Sequence, residues 1–215
     1  MDDKLTMHVD LLIERYPVLK SCKNDIVKVY NILELSYSNG GKLLVCGNGG
    51  SASDSEHIVG ELMKEFKLKR KIYTAQADAM KAIDAEMGAV LAENLQGALP
   101  AITLTAHSSL TTAFMNDCEP LLVFAQQVNG YGKQEDTLLG ISTSGNSKNV
   151  LYAAITAKAR GLKVVGLTGE KDNKLQEFAD VCIHVPEVET YKIQELHLPV
   201  YHCLCLMLED HFFGK

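Results

Sequence analysis

Lys42-Leu43-Leu44-Val45-Cys46-Gly47-Asn48-Gly49-Gly50-Ser51 and Thr137-Leu138-Leu139-Gly140-Ile141-Ser142-Thr143-Ser144-Gly145-Asn146-Ser147 share one plan. Each is a short apolar run, then a turn of small and hydroxyl residues, then a helical pattern. A strand that ends this way and opens a helix leaves backbone N–H groups and hydroxyls free to meet an anion. Phosphate is the usual occupant. No Gly-Lys-Ser/Thr follows either turn, so neither is a Walker A loop, and neither has the Gly-x-Gly-x-x-Gly spacing of a dinucleotide site. One such turn reads equally well as an ordinary capped helix start. Two in one chain, the second with four hydroxyls between Ser142 and Ser147, point to a phosphorylated small molecule.

Working outward, further strand-like runs lie at 101–105, 164–168 and 181–185, beside those at 43–46 and 138–143, with helical patterns between them. That alternation predicts a doubly wound parallel five-stranded α/β sheet flanked by helices. Such sheets bind ligands at the carboxyl ends of their strands, where both hydroxyl turns fall. Two helices are expected ahead of the first strand, over 5–15 and 19–38. The second places Ile26, Val29, Tyr30, Leu33 and Tyr37 on one face and stops at Asn39-Gly40-Gly41. Residues 74–95 read as one amphipathic helix, with Met80, Ile83, Met87, Val90 and Leu91 at helical spacing. The last helix spans about 192–212, and Pro199 inside it removes one N–H and predicts a kink. No repeat, linker or low-complexity tract interrupts the chain. It reads as a single domain over 1–215, with N-terminal helices over 1–40 and an α/β sandwich over 41–215 that includes an extra helical segment at 71–99.

The chain has 215 residues, 47% hydrophobic and 22% charged, and a net charge of −6. That balance is ordinary for a globular protein and disfavours a nucleic-acid partner. The basic run Lys64 to Lys71 reads as a solvated helix end. The acidic start MDDKLTMHVD has no apolar signal core, and no stretch reaches transmembrane length, so no membrane role is expected. Six cysteines (Cys22, Cys46, Cys118, Cys182, Cys203 and Cys205), several of them in apolar runs, suit a reduced, cytoplasmic protein.

His57 and Glu61 stand four apart on the helix after the first turn, so imidazole and carboxylate share a face. Gln194 and His202 lie on the last helix, near Glu195 and His197. Two histidines and a carboxylate suit a divalent metal, typically zinc. Gln194 and His202 are separated by about 12 Å along an ideal helix, however. Their convergence needs irregular chain near Gln194, a bend at Pro199, or sites in different subunits. His107, His184 and His197 have no comparable support and read as structural or surface histidines.

Taken together, CGNGGS with His57 and Glu61, Asn116-Asp117, LLGISTSGNS over 138–147, Leu167-Thr168-Gly169, and IQELH over 193–197 with His202 resemble the phosphoheptose (sedoheptulose 7-phosphate) isomerase branch of the SIS domain proteins. The resemblance covers most of the chain except about 70–99. It implies a doubly wound sheet, a homotetramer with active sites between subunits, and a zinc cofactor. The implied reaction interconverts sedoheptulose 7-phosphate and D-glycero-D-manno-heptose 7-phosphate through an enediol, for bacterial heptose and lipopolysaccharide or other surface-glycan synthesis.

Carried over residue by residue, Asn48, Gly49 and Gly50, with Ser51 beside them, and Asn116 and Asp117 resemble the substrate contacts. Ser142, Thr143, Ser144 and Ser147 resemble the phosphate cradle. His57, Glu61, Gln194 and His202 resemble the metal set, with Gln194 also touching substrate. Glu61 and His202 resemble the acid–base pair; whether Glu61 is base, ligand or both stays open. The chain departs from the family in its extra segment at 74–95, in Cys118-Glu119-Pro120-Leu121 where an aromatic-rich stretch is usual, and in Tyr191-Lys192 where an acidic residue is usual. The other readings are a non-catalytic SIS protein that binds the replication initiator and a phosphosugar-sensing regulator. The intact His57, Glu61, Gln194 and His202 set disfavours the first, and the lack of a DNA-binding module disfavours the second.

Overall fold

The computed structural model describes residues 3–214, with side chains from Thr6 onward. Five strands, β1 (Leu43–Cys46), β2 (Ala101–Thr103), β3 (Thr137–Ile141), β4 (Lys163–Thr168) and β5 (Val181–His184), form one sheet in the order β2-β1-β3-β4-β5. Every pairing is parallel; Leu44 lies between Ile102 and Leu138, and Leu139 pairs with Val165. The doubly wound α/β sheet expected from the sequence is therefore present. β1 and β3 are buried along their whole length, as strands covered on both faces must be.

Strand alternation sends side chains to two cores. Leu43, Val45, Leu139, Ile141, Val165 and Leu167 meet α1 (Asp3–Arg15), α2 (Lys23–Ser38), α3 (Gly50–Met63) and α10 (Thr190–Phe213) on one face. Leu44, Cys46, Leu138 and Val164 meet α7 (Val123–Tyr131), α8 (Lys148–Ala159) and α9 (Lys174–Phe178) on the other. Each fully buried Leu, Ile or Val is worth about 1.5–3 kcal/mol. The expected face of α2 is buried, Ile26, Val29, Tyr30, Leu33 and Tyr37 all being at most 8% exposed. Its expected start is corrected: 17–22 is a 3-10 turn opened by Pro17, and the α-helix begins at Lys23.

The chain leaves β1 toward β2 on one side, and the rest of the sheet grows on the other side from β3. The strand order thus reverses at β1/β3, which puts both hydroxyl turns at the switch point where such sheets bind ligands.

The reading of 74–95 as one helix is corrected. The segment is a helical hairpin, α4 (Thr74–Ile83) and α5 (Ala85–Asn94). Asp84 breaks the run: its backbone is extended and its carboxylate accepts from the N–H groups of Glu86 and Met87, capping a new helix. The two helices cross closely at Gly88, where an added Cβ would sit 2.3 Å from the Met80 carbonyl oxygen. The apolar face does not enter the core, for Ile83 is 88% exposed, Met87 66% and Val90 58%.

Among the described residues no helix is long and apolar enough to cross a membrane, and all six cysteines are free.

Candidate active site

α3 opens directly from the first turn and α8 from the second. The turns are tied together: the Asn48 amide donates to Asn149 Oδ1 (2.9 Å) and the Asn149 amide donates to Asn48 Oδ1 (2.8 Å). Asn149 thus joins the site from the first turn of α8. Ser142 and Ser147 share a hydroxyl–hydroxyl bond of 3.1 Å, and the Asn146 N–H donates to Ser144 Oγ at 3.2 Å. Gly145 permits the turn, with φ +61° and an added Cβ only 2.1 Å from the Asn173 side chain. Ser147 begins α8 without a side-chain cap, so the Lys148 and Asn149 N–H groups, with the nearby hydroxyls, make an anion cradle, while the Val150 N–H is taken by Asn149 Oδ1. The Gly169 N–H donates to the Thr143 carbonyl, joining the end of β4 to this turn.

α10 runs alongside α3 in the same direction. At the head of α3, Gln194 packs on Gly50, where an added Cβ would meet its Nε2 at 2.6 Å. Two turns on, Tyr201 and His202 reach His57. His57 Nδ1 lies 3.0 Å from the Tyr201 hydroxyl, which donates to Asp54 Oδ1 at 3.2 Å. His57 Nε2 lies 3.1 Å from Glu61 Oε1. The His57 and His202 rings stand edge to face, 5.0 Å between centroids. Glu61 Oε2 and His202 Nε2 are buried without hydrogen bonds; the nearest cation to Glu61 Oε2 is Lys64, at 3.6 Å. Burial, and then the neighbouring His57, pull the His202 imidazole below its usual range and favour a neutral ring, against the pull of Glu61 toward the charged form. Burial raises the Asp54 carboxyl, partly countered by Tyr201 and His57, and also pushes up the Tyr201 phenol, with Asp54 adding to the effect.

Behind Glu61, Arg70 is wholly buried. Its guanidinium donates to the carbonyls of Glu61 (2.9 Å) and Leu62 (2.8 Å) and to Glu209 Oε1 (2.8 Å). Glu209 also accepts from the Phe66 and Lys67 N–H groups. Burial works to raise its carboxyl, but these bonds prevail and hold it below the usual carboxylate range. The pair closes the carboxyl end of α3 and so fixes the backbone of Glu61.

Of the residues expected from sequence, His57, Glu61 and His202 gather in one cluster, and Asn48 and the serines form the cradle. Ser51 is turned inward, 4% exposed. Gln194 stays apart: α10 is unbroken from Thr190 to Phe213, which leaves it about 12 Å along the axis from His202. Asn116 and Asp117 end the exposed α6 (Ser108–Asp117) and bond to each other at 2.8 Å, with no hydrogen bond to the cluster. No three His, Cys, Asp or Glu residues among those described stand ready-made for a metal ion. The unpartnered Glu61 Oε2 and His202 Nε2 still suit a cation donor set. His197 is buried with both ring nitrogens unpartnered, and burial takes it down to about 4, the nearby Thr168 backbone only partly opposing this, so it is a neutral core residue. His184 bonds through Nδ1 to Thr168 and the Gly169 carbonyl.

An anion cradle at the switch point and a carboxylate–histidine cluster beside it define a sugar-phosphate isomerase of the SIS type, and residues 74–169 match the SIS domain model. The chain is 39% identical to the phosphoheptose isomerase of Helicobacter pylori strain P12 over 197 residues, covering 92% of this chain and 89% of that one. It is 35% identical to the Akkermansia muciniphila phosphoheptose isomerase over 201 residues, or 94% and 93% of the two chains. The structure of a phosphoheptose isomerase from Francisella tularensis superposes with a TM-score of 0.75 at 30% identity over 97% of each chain. The chain belongs to the phosphoheptose isomerase family.

Proposed function

We propose that the protein interconverts sedoheptulose 7-phosphate and D-glycero-D-manno-heptose 7-phosphate. The observation that carries this reading is the cluster of Glu61, His57 and His202, with two unpartnered buried atoms, on the helices flanking a hydroxyl-lined anion cradle. The phosphate rests on Ser142, Thr143, Ser144 and Ser147 at the start of α8. Asn48, Gly49 and Gly50 line the sugar chain. Glu61 takes a proton from C1 of the ketose. His202 supplies a proton to O2 as the C2 carbonyl becomes an enediol and removes one from O1 as the C1 aldehyde forms. Glu61 then returns its proton to C2.

His57, Glu61 and His202 would hold a zinc ion, with Gln194, which lies apart from them in one chain, joining only from a neighbouring subunit; the ion's charge when bound would polarise the carbonyl and stabilise the enediolate. Glu61 Oε2 and His202 Nε2, both buried and without a hydrogen bond, support that donor set. Assembly as a homotetramer with sites completed between subunits is supported by the exposed apolar hairpin α4–α5 and by Asn116 and Asp117, which one chain leaves away from the cluster. A reduced cytoplasmic setting, supported by the free cysteines, would place the product in heptose synthesis for surface glycans.

The test is isomerisation of sedoheptulose 7-phosphate by purified protein, with and without zinc, against fructose 6-phosphate. Turnover of the heptulose alone is expected. Turnover of neither sugar by folded, zinc-loaded protein would refute the reading.

A further inference from the structure

We propose that Tyr201, held by Asp54, is a positioning residue that fixes the tautomer of His57, so that a bare Nε2 lone pair faces Glu61. The argument is a count of protons. A tyrosine hydroxyl has one proton to give, and an ionised carboxylate can only accept. The Tyr201 proton is therefore committed to Asp54 Oδ1, 3.2 Å away. What the phenol oxygen offers His57 Nδ1, 3.0 Å away, is a lone pair, so Nδ1 must carry the hydrogen. A neutral imidazole has only one N–H. Nε2 is left as an acceptor, 3.1 Å from Glu61 Oε1, which is an acceptor as well.

Two acceptors at that distance leave a slot for one positive particle. On the isomerase reading, on which the role of this arrangement rests, the slot takes the proton that Glu61 lifts from the sugar, or a metal ion. The other tautomer would donate Nε2–H to Glu61 and fill the slot in advance. Outer hydrogen bonds of this kind fix the orientation and protonation of catalytic and metal-binding histidines. The ring contacts make the arrangement rigid: Tyr201 is 2% exposed and stands edge to face on both His57 (5.6 Å) and His202 (5.1 Å). Asp54, His57 and Glu61 share one face of α3, so the line Asp54–Tyr201–His57–Glu61 is continuous.

Long-range proton–nitrogen spectra of the metal-free protein, at mildly alkaline pH where imidazoles are neutral, read the tautomer directly. The His57 signals are assigned by their loss in His57→Asn. The wild type is expected to show His57 protonated on Nδ1 alone. Tyr201→Phe removes one buried oxygen and is expected to move the proton to Nε2. Asp54→Ala, at a half-buried site, frees the Tyr201 proton to turn toward Nδ1 and is expected to do the same. An Nε2–H signal from His57 in the wild type, or retention of the Nδ1–H form in either variant, would overturn the proposal. The spectra need no substrate, so they decide it even if the enzyme proves to act on a different sugar.

Discussion

Replacing Arg70 with methionine tests how the backbone of Glu61 is held. The substitution keeps much of the volume but removes three donors, to Glu209 Oε1 and to the carbonyls of Glu61 and Leu62. Both members of the ion pair are buried, at 0% and 1% side-chain exposure, so Glu209 would keep its charge with backbone N–H groups but no cation to answer it. Breaking a buried pair from one side costs about 3–5 kcal/mol. At about 2–4 °C per kcal/mol for a chain of this size, the melting temperature should fall by about 6–20 °C. Urea denaturation gives the free energy directly. Arg70→Met with Glu209→Leu should recover part of the loss, because no uncompensated charge remains. The native Glu209 carboxyl lies below its unfolded value, so its contribution is present above about pH 4.3 and is lost as the pH falls through its native value. The acid limb of stability should therefore be steeper in the wild type than in the double variant. The exposed pair Lys192–Glu189 is the control, and Lys192→Met should change nothing measurable. An Arg70→Met free energy within about 1 kcal/mol of wild type would refute the reasoning, since a pair this buried cannot be so cheap to break.

Glu61→Gln should keep the fold and lower kcat by at least about 10²–10⁴, the usual worth of a general base, measured by coupled assay. His202→Ala should do likewise, with an unchanged circular dichroism spectrum. Ser144→Ala and Ser147→Ala should each raise KM about 10–100-fold with a smaller effect on kcat, as expected when one hydrogen bond to a charged phosphate is lost. Gly145→Ala forces a Cβ onto Asn173 at a left-handed backbone position, and should cost about 1–3 kcal/mol in thermal unfolding as well as phosphate affinity. Replacing 74–94 with a short Gly-Ser link should leave the sheet intact and lower the sedimentation coefficient by reducing the oligomer; an unchanged oligomer with altered kinetics would make the hairpin a lid.

Most of the sheet was legible because its strands are buried on both faces and read as continuous apolar runs bounded by glycine and hydroxyl turns. The second turn, Ser142 to Ser147, carried the cradle for the same local reason. The hairpin is hidden in the sequence because periodicity continues through Asp84, and only the cap geometry there reveals a second helix start. Asp54 could have been found from sequence, since 54, 57 and 61 share a helical face. Tyr201 could not: its role depends on how α10 lies against α3, and an adjacent histidine gives no sign of it. Arg70 and Glu209 are 139 residues apart and meet only in three dimensions. Within a basic stretch such as Lys64 to Lys71, the one wholly buried cation looks like its solvated neighbours.

Proton transfer by Glu61 at the sugar carbon is the central claim, and solvent isotope incorporation tests it most directly. Sedoheptulose 7-phosphate is turned over in deuterium oxide, and the aldose product is examined by proton NMR and mass spectrometry. The account predicts deuterium at C2 of the aldose or washed into C1 of recovered ketose, and none with Glu61→Gln while phosphate binding survives. Undiminished incorporation by the Glu61→Gln enzyme would contradict it.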